Sequence, residues 1–198
     1  MADAMKEEKL IQTLKEAADA HHEYEDGALK GQLDTQALGW YAGFVVGRLG
    51  DFATPSALTE WFHETRVRGK FDIAAKNVLA HLEANGADPA FIAPQKLSAD
   101  KTVATQQLVE VLKAAGDAHH EFEDNALKGE VDTQALGWYA GFVNGRLGIA
   151  TPTQLTEWFH ETRVRGKFEL AAQNVLNHLE APAETATATP KAKAAPSI

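Results

Sequence analysis

The 198-residue sequence has no cysteine and no long apolar run. Without cysteine, the chain cannot form disulfides, thiolate metal sites, iron–sulfur clusters or cysteine nucleophiles. No stretch approaches the roughly 18 apolar residues of a membrane span. The first ten residues (MADAMKEEKL) also lack the apolar segment of a secretion signal. These absences predict an intracellular, cytoplasmic protein without membrane insertion.

Positive charge is also scarce, because 19 Lys and Arg stand against 28 Asp and Glu, a formal net charge of −9. An acidic chain repels the phosphate backbone, so we expect no nucleic-acid partner. The sequence also lacks a glycine-rich phosphate loop and a Gly-x-Ser-x-Gly nucleophile motif. Several classes of function are thereby excluded, and no reaction is indicated.

An internal repeat is the main feature that the chain does contain. Residues 10–83 recur as residues 108–180, with a register shift of 98 up to Gly50 and of 97 from Ala53 onward. The segment Leu58–Phe71 (LTEWFHETRVRGKF) returns unchanged in the second copy. Cores tolerate many hydrophobic exchanges, so such near-identity exceeds what folding demands. It indicates either a recent duplication or a surface that is in use.

Each copy is predicted to contain four helices and no strand, because its apolar residues follow a helical period throughout. Helix A runs from about residue 7 to 28, and helix B runs from a cap at Asp34 to a stop at Gly50. Thr54 and Pro55 open helix C, because a threonine cap followed by proline favours a helix start. Gly69 ends helix C, and helix D covers about residues 71–82.

The predicted fold is therefore all-α, a tandem duplication of a small four-helix repeat with eight main helices. The two repeats are related by an approximate twofold axis or stacked like a short solenoid. Residues 1–84 form the first repeat, 85–97 a Gly/Pro/Ala-rich linker, and 98–180 the second repeat, which begins with Ser98 as a cap. Residues 181–198 have too few large apolar residues to order, so a disordered tail is predicted.

Charged residues on apolar helix faces form the first candidate site. His21 and Glu25 lie on the apolar face of helix A, and Arg48 lies on that of helix B near Tyr41. A buried arginine needs a carboxylate, and Glu25 is the best-placed partner. The interpretations are an ion-pair network that fixes helix docking, a ligand pocket, or acid–base catalysis by His21 or Glu25. The predicted cluster and its copy comprise His21, Glu25, Tyr41, Arg48, His119, Glu123, Tyr139 and Arg146.

A metal centre is a second hypothesis, because imidazole and carboxylate groups suit iron, zinc or manganese. Helix C carries a Glu-x-x-His spacing, which di-iron bundles use in pairs. Helical geometry places that pair opposite the apolar stripe, so a solvated face with a Glu64–Arg68 ion pair is the alternative. The candidate metal ligands are His22, Glu60, His63, His120, Glu157 and His160.

Glycines spaced by four along helix B are a third feature, since each interior glycine destabilises a helix by about 1 kcal/mol relative to alanine. Close packing of another helix, or a group bound on bare backbone, would explain them. The candidate contact residues are Gly39, Gly43, Gly47, Gly137, Gly141 and Gly145.

A local group of cations lies at the C-terminal end of helix C. These residues could bind a phosphate or an acidic partner, or could simply complement the negative end of a helix. The cations of the two copies are Arg66, Arg68, Lys70, Arg163, Arg165 and Lys167.

The leading functional hypothesis is a non-enzymatic helical interaction or scaffold module. It would present two equivalent surfaces to a protein partner or a larger assembly and gain avidity from their linkage; a homo-oligomer is a further option. The alternative is a helical bundle that binds a metal ion or another cofactor through its His/Glu clusters, with oxidoreductase activity as one outcome.

Overall fold

The computed structural model describes residues 2–181, and within that range it shows eight α-helices and no strand. The all-α prediction is thus confirmed for this range, whereas the predicted tail, apart from Ala181, lies outside the described residues. No helix between residues 2 and 181 combines the length and apolar character needed to cross a membrane. The helices are α1 (Ala2–Asp26), α2 (Ala37–Leu49), α3 (Pro55–Thr65), α4 (Phe71–Ala84), α5 (Lys101–Asn125), α6 (Ala135–Leu147), α7 (Pro152–Thr162) and α8 (Phe168–Glu180).

The N-termini of α3 and α7, each a threonine followed by a proline, have the caps that the sequence predicts. The Thr54 side chain accepts a hydrogen bond from the backbone N–H of Ala57, and Pro55 takes the first helical position of α3. Thr151 does the same for α7 and forms a full capping box with Gln154. At the other end of α2, Gly50 adopts φ 90° and stops the helix.

Three other predicted helix boundaries are wrong, because a different residue caps the helix in each case. Asp34 does not cap α2, because Gln36 is its N-cap and makes no side-chain cap bond. Ser98 does not cap α5, since Asp100 accepts from the backbone N–H of Val103 instead. Helix α3 ends at Thr65, before Gly69, with Arg66 in the left-handed conformation as its cap. Helix α7 ends in the same way, with Arg163 as its left-handed cap.

Helices α2 and α6 form the centre of a single hydrophobic cluster that draws residues from all eight helices. Most residues of both helices are buried, including their tryptophans and phenylalanines. Helix α1 packs against α2 and α4 and also against α6 and α7, while α5 packs against α6 and α8 and also against α2 and α3. The two sequence copies therefore share one core.

The segment between α4 and α5 is held against the ends of both central helices. The backbone N–H of Ile92 donates to the Leu49 carbonyl at 3.0 Å, and that of Gln95 donates to the Arg146 carbonyl at 3.1 Å. The Phe91 ring packs edge-on against Phe52, with 5.0 Å between centroids. The predicted linker thus bridges α2 and α6 along the surface.

Candidate functional site

The glycine stripes lie at the contact between α2 and α6. A Cβ atom built on Gly47 would stand 2.3 Å from the Phe142 carbonyl oxygen, and one on Gly145 would stand 2.4 Å from the Phe44 carbonyl oxygen. The prediction of a closely packed helix is confirmed. The assignment of these glycines to an external partner is wrong, because six glycines are buried inside the molecule: Gly39, Gly43, Gly47, Gly137, Gly141 and Gly145.

Aromatic side chains cover these glycines reciprocally. The Trp138 ring lies over Gly43, and the Trp40 ring lies over Gly141, with closest approaches of 2.9 Å to a built Cβ in both cases. Such an exchange of equivalent contacts is the pattern of an isologous interface. Here it occurs within one chain.

The same reciprocity holds at the starts of α3 and α7. The backbone N–H of Ser56 donates to Glu121 Oε2 at 3.0 Å, and its hydroxyl donates to the Glu121 carbonyl. Thr153 makes the same two bonds to Glu23, again with 3.0 Å from its N–H to the carboxylate. A glutamate from the long helix of one copy thereby satisfies free N–H groups at a helix start in the other.

A buried polar network surrounds His21. Its Nε2 lies 3.0 Å from Asp34 Oδ2, and its Nδ1 lies 3.8 Å from Glu25 Oε2. Glu25 Oε1 accepts from the Asp34 backbone N–H at 3.0 Å and from Arg68 Nη2 at 3.2 Å. His21 is 2% exposed, and the Tyr41 ring lies 5.3 Å from it. We call His21, Glu25, Asp34 and Arg68 the first polar network.

The second polar network repeats this geometry. His119 Nε2 lies 3.0 Å from Asp132 Oδ2, and its Nδ1 lies 3.6 Å from Glu123 Oε2. Glu123 Oε1 accepts from the Asp132 backbone N–H at 2.8 Å and from Arg165 Nη2 at 2.6 Å. Tyr139 lies beside His119, with 5.4 Å between ring centroids.

The sequence placed the wrong arginine beside Glu25. Arg48 pairs instead with Glu16, at 2.9 Å, and Glu25 pairs with Arg68. In the second copy Glu16 is replaced by Ala114, so Arg146 has no matching carboxylate and donates to the Gly47 carbonyl instead. Burial lowers the pKa of the Arg146 guanidinium. Arg48 and Arg146 are therefore not members of the polar networks.

The sequence did not identify Asp34 and Asp132 as the partners of the two buried histidines. Both are buried, although both lie in loops where helical periodicity gives no position. Their retention in both copies was a usable signal, since a simple helix cap tolerates Ser, Thr or Asn equally well.

The surroundings shift the pKa of Glu123 and of the two tyrosines beside the networks. Burial opposes ionisation of Glu123, but hydrogen bonds from the Asp132 N–H and Arg165, with the charge of His119, lower its pKa below the usual value. Burial raises the pKa of the Tyr41 phenol to about 12, and it raises the pKa of Tyr139 as well. In the second copy, an ionised Glu123 therefore lies in the same network region as the neutral Tyr139 phenol.

The contacts of the buried histidines favour a structural role over catalysis. Both ring nitrogens of His21 face carboxylates, and its ring is enclosed by Trp40 and Tyr41 at 5.0 and 5.3 Å between centroids. A general base needs a nitrogen within reach of a substrate proton. The geometry therefore supports the ion-pair interpretation that fixes how α1 docks on α2.

The candidate metal ligands remain apart. His22 is exposed and lies 3.5 Å from Asp26, and the other candidates are exposed as well: Glu60, His63, His120, Glu157 and His160. Among residues 2–181, no group of three or more His, Asp or Glu side chains is arranged to hold a metal ion. The metal hypothesis gains no support from this part of the chain.

The exposed face of α3 is confirmed, but its predicted ion pair is wrong. Glu64 does not pair with Arg68. Its carboxylate accepts from Asn77 at 2.7 Å and lies 2.9 Å from His81 Nε2, and the His81 ring stacks on Trp61 at 4.8 Å. Glu161 repeats this arrangement with His178. These contacts join α3 to α4 and α7 to α8.

Exposed apolar residues lie beside the cations that follow α3 and α7. Arg68 reaches Glu25, which binds the backbone of Asp34, so the α3–α4 turn adjoins the α1–α2 loop that carries Leu33. Leu33 is 75% exposed and Ile73 is 51% exposed. We call Leu33, Arg66, Arg68, Lys70 and Ile73 the first patch. The second patch comprises Val131, Arg163, Arg165, Lys167 and Leu170, and its two apolar residues are 71% and 54% exposed.

Four cations in or next to these patches adopt left-handed backbone conformations. Arg66 has φ 52° and Arg163 has φ 51°, while Lys30 and Lys128 in the α1–α2 and α5–α6 loops have φ 54° and 56°. This conformation disfavours a residue with a Cβ by roughly 1–2 kcal/mol, and glycine or asparagine usually occupies it. Strained residues of this kind concentrate at functional sites.

No family model, characterised protein or solved structure matches this chain. Function is therefore inferred from the polar networks and the patches.

Proposed function

We propose that the protein is a non-enzymatic interaction module that presents the first and second patches to one partner. The supporting observation is that the patches keep their apolar character while changing residue identity. Leu33 becomes Val131, and Ile73 becomes Leu170, although all four side chains are about half exposed or more. Burial in the core does not explain this retention.

Some exposed helix positions outside the patches change their chemistry between the copies, although others, such as Glu60 and His63 on α3, do not. Lys76 corresponds to Gln173, and Ala80 corresponds to Asn177. Exposed positions with no function drift in this way because surface substitutions are nearly neutral for stability. The patches, with their unchanged cations, depart from that behaviour.

The chemistry of the patches indicates an acidic partner surface that contains apolar residues. Each patch combines three Arg or Lys residues with two exposed apolar side chains, on a chain whose formal net charge is −9. Arginine forms strong, directional hydrogen bonds with carboxylates. Arg68 is already held by Glu25 on one edge, so less side-chain entropy is lost when its other N–H groups bind a partner.

We infer further that the chain is a tandem pair of four-helix repeats around an approximate twofold axis. The reciprocal contacts of Gly43 with Trp138 and of Gly141 with Trp40 support this arrangement. The two patches would then be related by the same axis. A symmetric or repetitive partner that engages both would gain avidity beyond the affinity of either patch.

The test replaces the apolar residue of both patches in the double variant Leu33→Ser/Val131→Ser. The matched control is Met5→Ser/Val103→Ser, which removes exposed apolar side chains (74% and 48% exposed) away from the patch cations. Each protein is immobilised, and the proteins retained from an extract of the source cells are quantified. We expect one acidic partner to be retained by the wild type and the control but not by the patch variant. Identical retention by all three proteins would contradict the proposal.

A further inference from the structure

A cavity of about 260 Å³ lies beside the second polar network. It opens between the middle of α5, the α7–α8 turn and the start of α8. The groups that matter for its chemistry are Gly116, Asp117, Tyr139, Arg165 and Phe168. Its volume is below the 300–1,000 Å³ typical of sites for drug-sized ligands, so it suits a small metabolite.

A glycine in close contact with two side chains forms part of the cavity wall. A Cβ atom built on Gly116 would lie 3.0 Å from Phe168 Cζ and 3.3 Å from the Tyr139 hydroxyl oxygen. In the first copy the corresponding residue is Ala18, whereas the counterparts of the other four groups are identical, namely Asp19, Tyr41, Arg68 and Phe71. Gly116 lies within a regular helix and needs no positive φ, so backbone conformation does not explain it.

The lining of the cavity carries both signs of charge and an apolar wall. Arg165 and the Tyr139 hydroxyl supply hydrogen-bond donors, Asp117 supplies a carboxylate, and the Phe168 ring supplies apolar surface. Glu123, His119 and His120 also line the cavity. Both Glu123 oxygens already face Arg165, the Asp132 N–H or His119, and the His119 ring nitrogens face Asp132 and Glu123. A simple anion would meet the Asp117 carboxylate, and a simple cation would meet the Arg165 guanidinium.

We propose that this cavity binds a small free amino acid with an apolar side chain. The carboxylate of the ligand would bind Arg165 and the Tyr139 hydroxyl, and its ammonium group would bind Asp117. Its side chain would lie against the Phe168 ring, whose position a Cβ on Gly116 would shift. A zwitterion is the chemical class that satisfies both charged groups at once.

The test titrates the full chain with each of the twenty common amino acids, using ligand-detected NMR and calorimetry. We expect saturable, millimolar or tighter binding of at least one amino acid with an apolar side chain. The corresponding amide, which lacks the carboxylate, and the corresponding acid, which lacks the ammonium group, should each bind at least about tenfold more weakly. The absence of saturable binding, or equal binding of all three compounds, would overturn the proposal.

Variants then locate the site. The methyl group of Gly116→Ala must displace the Phe168 ring and the Tyr139 hydroxyl, so this variant should weaken binding at least about tenfold. Ala18→Gly makes the reverse change in the first copy and should leave this site intact. Tyr139→Phe removes only the hydroxyl and should also weaken binding. Circular dichroism establishes that each variant is folded. Binding to Gly116→Ala as tight as to the wild type would place the ligand elsewhere and refute the assignment.

Discussion

At the residue scale, a single loop aspartate holds each buried histidine in place. Asp34 contacts His21 through Oδ2, accepts the Gln36 N–H through Oδ1 at 2.7 Å, and donates its own N–H to Glu25. These bonds tie the end of α1 to the start of α2. Because the surroundings are buried, loss of one partner leaves the others without hydrogen bonds, which is more damaging than the same loss in water.

Asp34→Asn should lower the free energy of unfolding by about 1–3 kcal/mol, because it removes the charge that the His21 ring faces. The matched control is Asp26→Asn, which alters the exposed His22–Asp26 pair and should change stability by less than about 0.5 kcal/mol. Urea denaturation followed by circular dichroism measures both. Equal, small effects of the two substitutions would show that the first polar network does not stabilise the fold.

The sequence predicted that His21 and Glu25 face the interior, but it predicted only part of their network. Helical periodicity identifies the face on which a side chain lies. It gives no position for Asp34 in a loop or for Arg68 after another helix. Comparison of the copies also gives no indication that Glu16 is the partner of Arg48, because the second copy has Ala114 in place of Glu16.

At the element scale, the contact between α2 and α6 organises the molecule. The two backbones approach most closely at Gly47 and Gly145, where a side chain would meet a carbonyl oxygen of the other helix. Backbone atoms cannot move aside as the end of a flexible side chain can. Glycine is therefore required there by packing and not by backbone conformation.

Gly47→Ala should destabilise the protein by about 2 kcal/mol or more, because overpacking against Phe142 outweighs the gain in helix propensity. The same substitution at Gly116 serves as the control. There the methyl group meets only the ends of the Phe168 and Tyr139 side chains, which can shift by a few tenths of an ångström, and helix propensity improves, so stability should change by less than about 1 kcal/mol. Thermal and urea unfolding measure the difference. A stabilising effect of Gly47→Ala would contradict the close packing of α2 on α6.

Replacing the arginines that end α3 and α7 by glycine should stabilise the protein and weaken its binding to the partner. Arg66→Gly and Arg163→Gly should each raise the free energy of unfolding by about 1 kcal/mol, because glycine adopts the left-handed conformation without strain. Arg66→Ala and Arg163→Ala remove the charge but keep the strain, so they should not stabilise. Both pairs should weaken retention of the partner in the extract assay. Full retention by the glycine variants would remove Arg66 and Arg163 from the binding surface.

The order and type of the helices could be predicted well, whereas several helix ends and partners could not. Thr54 with Pro55, and Gly50, mark boundaries through local chemistry alone. Asp34 and Ser98 are plausible caps from sequence, but Gln36 and Asp100 are the N-caps, and Asp34 contacts His21 instead. The glycine period predicted a close helix contact without identifying α6 as the partner, since a period defines a face and not its neighbour.

At the scale of the whole molecule, the shared core sets the spacing of the two patches. Cross-copy contacts such as Ser56 with Glu121 and Thr153 with Glu23 fix the orientation of α3 and α7. The turns that carry Arg68 and Arg165 follow directly after those helices. Linked binding sites gain avidity only when their spacing matches that of the partner, and this packing supplies a defined spacing.

The rate at which the captured partner dissociates tests the central claim most directly. It is measured for the wild type, Leu33→Ser, Val131→Ser and the double variant. If both patches bind, each single variant should release the partner on the order of a hundredfold faster than the wild type, by similar factors, and the double variant should retain none. If one single variant alone reproduces the double variant and the other behaves as the wild type, the protein uses one surface and the bivalent account is wrong.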